Sequence, residues 1–134
     1  MLKFSKKTEY AILALQYISA NKQRRISVKE ISDNLNISFE FLSKTLQTLM
    51  KAGFIHSVQG VRGGYELIKN PEEFTIMELV DAIDGNTSIV ECFADSEDLT
   101  CERVDSCTIR GPMKNIQKKI NNILNTTTLA ELTR

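Results

Sequence analysis

A chain of 134 residues with 42% apolar side chains and a formal net charge of zero suits one compact domain with room for an appended dimerisation element, able to bury about two-thirds of its unfolded surface. Zero net charge argues against a protein that coats nucleic acid over its whole surface, and an odd count of three cysteines argues against a disulfide framework. The first apolar run, Tyr10 to Ile18, is broken by Gln16 and too short for a membrane span, and no signal peptide precedes it, so a cytoplasmic protein is expected.

Charge is unevenly placed along the chain. Residues 1–70 carry eleven Lys and Arg against five Asp and Glu, a surplus of six, and residues 71–134 carry six against twelve, a deficit of six. A polyanion would therefore bind the N-terminal half.

The spacing predicts a first amphipathic helix from about Ser5 to Ala20, with Tyr10, Leu13, Ala14, Tyr17 and Ile18 on its inward stripe. A basic turn, Asn21 to Arg25, follows. Ser27 and Glu30 then form a capping-box pattern that opens a second helix, with Val28, Ile31 and Leu35 on its buried face. Ser38 caps a third helix that runs to Ala52 and stops at Gly53, its inward stripe drawn from Phe41, Leu42, Thr45, Leu46, Leu49 and Met50.

Two short helices across a tight polar turn make a helix-turn-helix unit. Ser38 opens the second of them, and Glu40, Ser43, Lys44, Gln47, Thr48 and Lys51 would face outward, towards a DNA major groove. Next, Phe54 to Val58 and Tyr65 to Ile68 alternate as strands around the turn Gln59-Gly60-Val61-Arg62-Gly63-Gly64, a hairpin with an arginine at its tip. Such a wing reaches along the backbone or into the minor groove, where the negative potential attracts Arg62, and Gly60, Gly63 and Gly64 permit close approach to phosphates. The single histidine, His56, falls in the first of these strands.

Asn70-Pro71 closes the hairpin, and Thr75 with Glu78 forms a capping box for a fourth helix that buries Ile76, Leu79, Val80 and Ile83 and stops at Gly85. The polar, acidic stretch from Glu91 to Pro112 has neither helical nor strand periodicity and holds all three cysteines, Cys92, Cys101 and Cys107. A connection of that length inside a small domain usually has a function. Three thiols in one loop can converge as soft ligands of a metal or an iron-sulfur cluster. Incidental thiols and a redox thiol switch are the competing readings. Structural zinc is less favoured, because the gaps of eight and five residues contain no close cysteine pair. Pro112 then opens a last long helix with a stripe of Met113, Ile116, Ile120, Ile123 and Leu124, which would bury itself against a second copy in a homodimer. Thr128 to Glu131 offers one more capped turn.

The organisation expected is therefore mainly α with a small β-hairpin: a winged helix-turn-helix DNA-binding domain over residues 1–85, a cysteine-containing loop over 86–111, and a dimerisation helix and tail over 112–134. Catalysis is not expected, since no cysteine has a base nearby in sequence.

With these features in place the chain resembles the family of bacterial winged-helix iron-sulfur transcription regulators of the IscR, NsrR and RirA type. The resemblance is carried by Glu9-Tyr10-Ala11, Ile37-Ser38, Lys51-Ala52-Gly53-Phe54-Ile55, Gly60-Val61-Arg62-Gly63-Gly64-Tyr65, Val80-Asp81-Ala82-Ile83-Asp84 and the three cysteines. It implies a 2Fe-2S or 4Fe-4S cluster on Cys92, Cys101 and Cys107, and dimers paired through the long C-terminal helix. Where the assembly regulator has a histidine three residues after the third cysteine, this chain has Arg110, which cannot bind iron. The nitric oxide sensors take their fourth ligand from an acidic residue of the first helix across the dimer, and Glu9 stands at the matching place. The implied function is a homodimeric repressor of palindromic operators whose DNA affinity responds to nitric oxide, redox state or iron. The alternatives are a winged-helix regulator that uses the thiols or zinc without a cluster, and a cluster-carrying redox protein that binds no specific DNA.

Overall fold

The computed structural model describes residues 3–85, 87–90, 101–103 and 105–132. The elements are helices α1 (Lys6–Ala20), α2 (Val28–Leu35), α3 (Phe39–Lys51), α4 (Ile76–Asp84), α5 (Arg110–Thr126) and α6 (Leu129–Leu132), with a two-stranded sheet of β1 (Ile55–Val58) and β2 (Gly64–Leu67) packed on α1 and α3. The fold is the expected mainly α arrangement with a β-hairpin, a winged helix-turn-helix followed by a long C-terminal helix.

Short polar side chains set most helix starts. Ser5 and Ser27 each accept the amide of the residue three further on, at 3.1 Å, and Ser38 caps α3. Thr75 and Glu78 close a reciprocal box ahead of α4, so two otherwise unpaired amides are satisfied. The box expected at Ser27 and Glu30 is only half formed. Ser27 caps the helix, but the Glu30 carboxylate turns to Arg24 Nη1 and Nη2, at 2.6 and 2.7 Å, and to the Tyr17 hydroxyl at 2.8 Å. A guanidinium fork offers two charge-assisted bonds where the backbone offers one.

The inward face of α1 differs from the expected stripe. Ala11, Ala14, Leu15 and Ile18 are buried with Thr8, whereas Leu13 is 38% exposed. The helix is apolar nearly all round, so its neighbours α3 and α4 choose the buried face. Phe41 of α3 is likewise 38% exposed, its ring edge-on against Tyr10 with centroids 5.4 Å apart. Of the rest of the α3 stripe, Leu42, Thr45, Leu46 and Leu49 are fully buried and Met50 is half-buried.

In the hairpin, Ile55 faces Leu67 and Val58 faces Gly64 in antiparallel register. Ile26 adds a one-residue third strand: its amide donates to Tyr65 O at 3.0 Å, and the Tyr65 amide donates back at 2.7 Å. A side chain at residue 64 would place its Cβ 2.7 Å from the Ile26 carbonyl, so this docking requires glycine. After the hairpin, Pro71–Glu73 forms a 3-10 turn boxed by Asn70 and Glu73.

Helix α5 begins at Arg110, with Pro112 in its first turn. At its far end the chain folds back onto the start of α4: the Ile76 amide donates to Thr127 O and the Leu129 amide to Phe74 O, both at 2.9 Å. Leu129 is 1% exposed, so the tail belongs to the core.

Candidate nucleic-acid interface and cysteine loop

Burial of Leu42, Thr45, Leu46 and Leu49 fixes the rotation of α3, and the opposite face carries Glu40, Lys44, Gln47 and Lys51, all exposed, flanked by half-buried Ser43 and Thr48. The Thr48 hydroxyl donates back to Lys44 O at 3.1 Å. Ser38, at the N-cap, is exposed as well. Phe39, in phase with Leu42 and Leu46, is nevertheless 54% exposed.

The wing tip presents Gln59, Gly60, Val61 and Arg62 to solvent, with Gly63 and Gly64 half-buried behind them. Gly60 adopts φ +120°, which a residue with a side chain rarely takes. An open cleft beside the tip is lined by Lys22, Arg24, Arg25, Ser27, Arg62 and Glu66, which brings the basic turn of the sequence next to the wing. Among the described residues, none of Lys44, Lys51 and Arg62 has an ion-pair partner. His56 pairs with Glu66 across the hairpin at 2.6 Å and has a role in the wing.

The cysteine loop leaves α4 beside the start of α1. The Ser5 hydroxyl donates to Asp84 Oδ1 at 2.6 Å and the Thr8 hydroxyl to Oδ2 at 2.8 Å. Three residues past Asp84 the chain meets α5: the Ile89 amide donates to Gln117 Oε1 at 2.7 Å, and Gln117 Nε2 donates to Thr87 O at 3.3 Å. Cys101 is exposed and Cys107 half-buried, both as free thiols, and Cys92 lies outside the described residues. Glu9 is on the first turn of α1, exposed and paired with Lys6 Nζ at 2.9 Å. Among the described residues no three His, Cys, Asp or Glu side chains converge on one point. The expected set needs Cys92 and, for Glu9, a second copy. The described part of the donor set, two reduced thiols, is of the soft type that iron-sulfur clusters take.

Along α5 the expected dimer stripe is largely wet. Ile116 is 43% and Ile123 61% exposed, Ile109 joins them at 55%, and Met113, Ile120 and Leu124 are half-buried. No helix among the described residues is long and apolar enough to cross a membrane.

In the sequence Asp84 stands out only as the end of the Val80-Asp81-Ala82-Ile83-Asp84 motif, and Gln117 does not stand out. The partners of Asp84 stand 79 and 76 residues away, and Gln117 reads as one more polar residue of a solvated helix face.

Comparison with known proteins places these features. The family model described as "Rrf2: Iron-dependent Transcriptional regulator" matches residues 4–134. The HTH-type transcriptional regulator NsrR of Shouchella clausii is 35% identical over 105 residues, which cover 78% of this chain and 70% of that protein. The HTH-type transcriptional regulator IscR of Klebsiella pneumoniae is 26% identical over 132 residues, covering 98% and 79%. Among solved structures, CymR, the global cysteine regulator of B. subtilis, superposes with a TM-score of 0.77 at 25% identity, covering 99% of this chain and 97% of that one. The chain belongs to the Rrf2 family of DNA-binding transcription regulators, which are not enzymes.

Proposed function

We propose that the protein is a cytoplasmic homodimeric repressor whose affinity for a palindromic operator is set by an iron-sulfur cluster on Cys92, Cys101, Cys107 and, across the dimer, Glu9. The observation that carries this reading is the position of the cysteine loop. It leaves α4 at Asp84, which is hydrogen-bonded to the start of α1, its residues Thr87 and Ile89 are hydrogen-bonded to Gln117 of α5, and that helix begins at Arg110. The similarity to NsrR and the iron-dependent description of the family support a cluster over a bare thiol.

In this reading the outer face of α3, from Ser38 to Lys51, lies in the major groove, with Lys44 and Lys51 on phosphates and Glu40, Ser43, Gln47 and Thr48 near base edges. Arg62 and the backbone of Gln59, Gly60, Gly63 and Gly64 follow the adjoining backbone and minor groove. Pairing of α5 with a second copy through Met113, Ile116, Ile120, Ile123 and Leu124 sets the two α3 helices about 34 Å apart, one DNA turn. A small rotation at that pairing spoils both half-sites together. When bound, a cluster supplies a centre sensitive to nitric oxide, oxygen or iron supply. A swing from 1:99 to 99:1 in operator-competent protein requires the two states to differ by about 5.5 kcal/mol in DNA binding.

A second reading, a regulator that uses the thiols directly, is favoured by the exposure of Cys101 and by the structural similarity to a cysteine regulator. Anaerobic purification with iron and acid-labile sulfide analysis separates the two. Colour with matching iron and sulfide supports the cluster, and colourless protein that takes up no iron on reconstitution supports the thiol switch.

A further inference from the structure

Seventeen residues of α5 bury a single side chain, and it is polar: Gln117, 9% exposed. A buried carboxamide is retained at a cost unless its groups are all bonded, and here they are. Oε1 accepts the Ile89 amide at 2.7 Å, and Nε2 donates to Thr87 O at 3.3 Å and to Asn121 Oδ1 at 2.8 Å. Two of the three partners are peptide groups of the strand of chain that runs into the cysteine loop, and Ile89 stands three residues ahead of Cys92. The third is on α5 itself.

Helix α5 is also fastened at its other end, where Thr127 and Leu129 are hydrogen-bonded to the residues around the start of α4. Along the helix Met113, Ile120 and Leu124 are half-buried apolar side chains, and α5 packs against α4. Such contacts hold a helix against the domain but do not fix its position along or around its axis. Directional bonds do, and Gln117 supplies such bonds in the first half of α5. A shift of Thr87 or Ile89 that left Gln117 behind would leave a buried carboxamide and two peptide groups without these partners. The helix and the segment therefore move together.

We infer that Gln117 is the positioning residue through which a change at the cysteines reaches the long helix, and thus the pairing of two copies. The inference rests on the reading of the cysteine loop as the sensing element, but the residue's role does not depend on whether a cluster or a thiol modification is sensed.

The test compares amide hydrogen exchange of residues 110–117 in the full-length protein with its thiols reduced, after anaerobic loading with ferrous iron and sulfide, and after oxidation with diamide. In the wild type, whichever treatment modifies the cysteines should change exchange in that part of α5 by at least about fivefold. Gln117→Met, similar in volume but without the bonds, should accept the same modification and show less than about a twofold change. A response in Gln117→Met equal to that of the wild type overturns the inference, and so does a wild-type helix that ignores both treatments. Should Gln117→Met fail to fold, Gln117→Asn, too short to span Thr87 and Ile89, takes its place with the same expectation. Failure of the cluster reading shows separately, as no iron uptake by the wild type, and the diamide arm then still decides the role of Gln117.

Discussion

The Thr8 hydroxyl donates to Asp84 Oδ2 at 2.8 Å, joining the first turn of α1 to the last residue of α4 across 76 residues of chain. The Ser5 hydroxyl takes the other oxygen at 2.6 Å while its own Oγ caps the helix through the Thr8 amide. One carboxylate thus orders the helix start that carries Glu9 and the point where the cysteine loop begins. Hydrogen bonds to a charged acceptor contribute more than neutral ones. Asp84→Ala should lower the unfolding free energy by about 1–2 kcal/mol in urea titration, and Asp84→Asn, which keeps one acceptor, by roughly half of that.

A different acid controls the pH response near the basic turn. Hydrogen bonds from Arg24, reinforced by the Tyr17 hydroxyl and only partly opposed by desolvation, hold the Glu30 carboxyl below its ordinary value of 4.5. A carboxyl depressed in the folded state contributes stability that is complete above its unfolded pKa and is lost as pH falls through the folded one. The wild type should therefore lose more stability than Glu30→Gln as pH drops from about 6 to below 4. Both Arg24 and Glu30 are partly exposed, so the difference is small and shrinks at high salt. Thermal unfolding of both proteins across that range checks the sign, and parallel curves would contradict it.

If α3 lies in the major groove, Lys44 and Lys51 neutralise phosphates. Lys44→Ala and Lys51→Ala should each weaken operator binding and flatten the plot of log affinity against log salt by about one unit of slope. Folding should change by no more than about 0.5 kcal/mol, because both side chains are exposed. Unchanged slopes in both variants would remove this face from the interface.

Ile123, 61% exposed on α5, has little to do within one copy of the chain. A charge there should leave the fold intact and break the pairing of two copies. Ile123→Glu is expected to sediment as a folded monomer and to lose affinity for a two-half-site operator by at least about a hundredfold. A variant that remains dimeric would place the subunit interface elsewhere.

The sequence signals that held were local. Ser27, Ser38 and Thr75 mark three helix starts, because a short oxygen beside unpaired amides acts within three residues. Alternation around the glycine-rich turn identified the wing for the same reason. What failed was long-range. Nothing in a helix that is apolar nearly all round says that Leu15 faces in and Leu13 out, since α3 and α4 decide it. Ile26 pairs with Tyr65 as a strand of one residue, too short for any periodicity. Glu30 was expected to cap its own helix and instead joins Arg24, a competition between a backbone amide and a guanidinium that spacing alone cannot weigh. Asp84 and Gln117, which tie the N-terminal side of the cysteine loop to α1 and α5, depend wholly on tertiary contacts.

On the proposed reading, what happens at the cysteines sets operator affinity. The measurement that tests it most directly is the dissociation constant for an operator fragment, selected by the protein from genomic DNA, with cluster-loaded and cluster-free protein under strict anaerobiosis at one salt concentration. The account predicts constants that differ by at least about a hundredfold, with the difference abolished by Cys101→Ala. Equal affinities for the two forms, with iron and sulfide shown to be present in one and absent from the other, would contradict it.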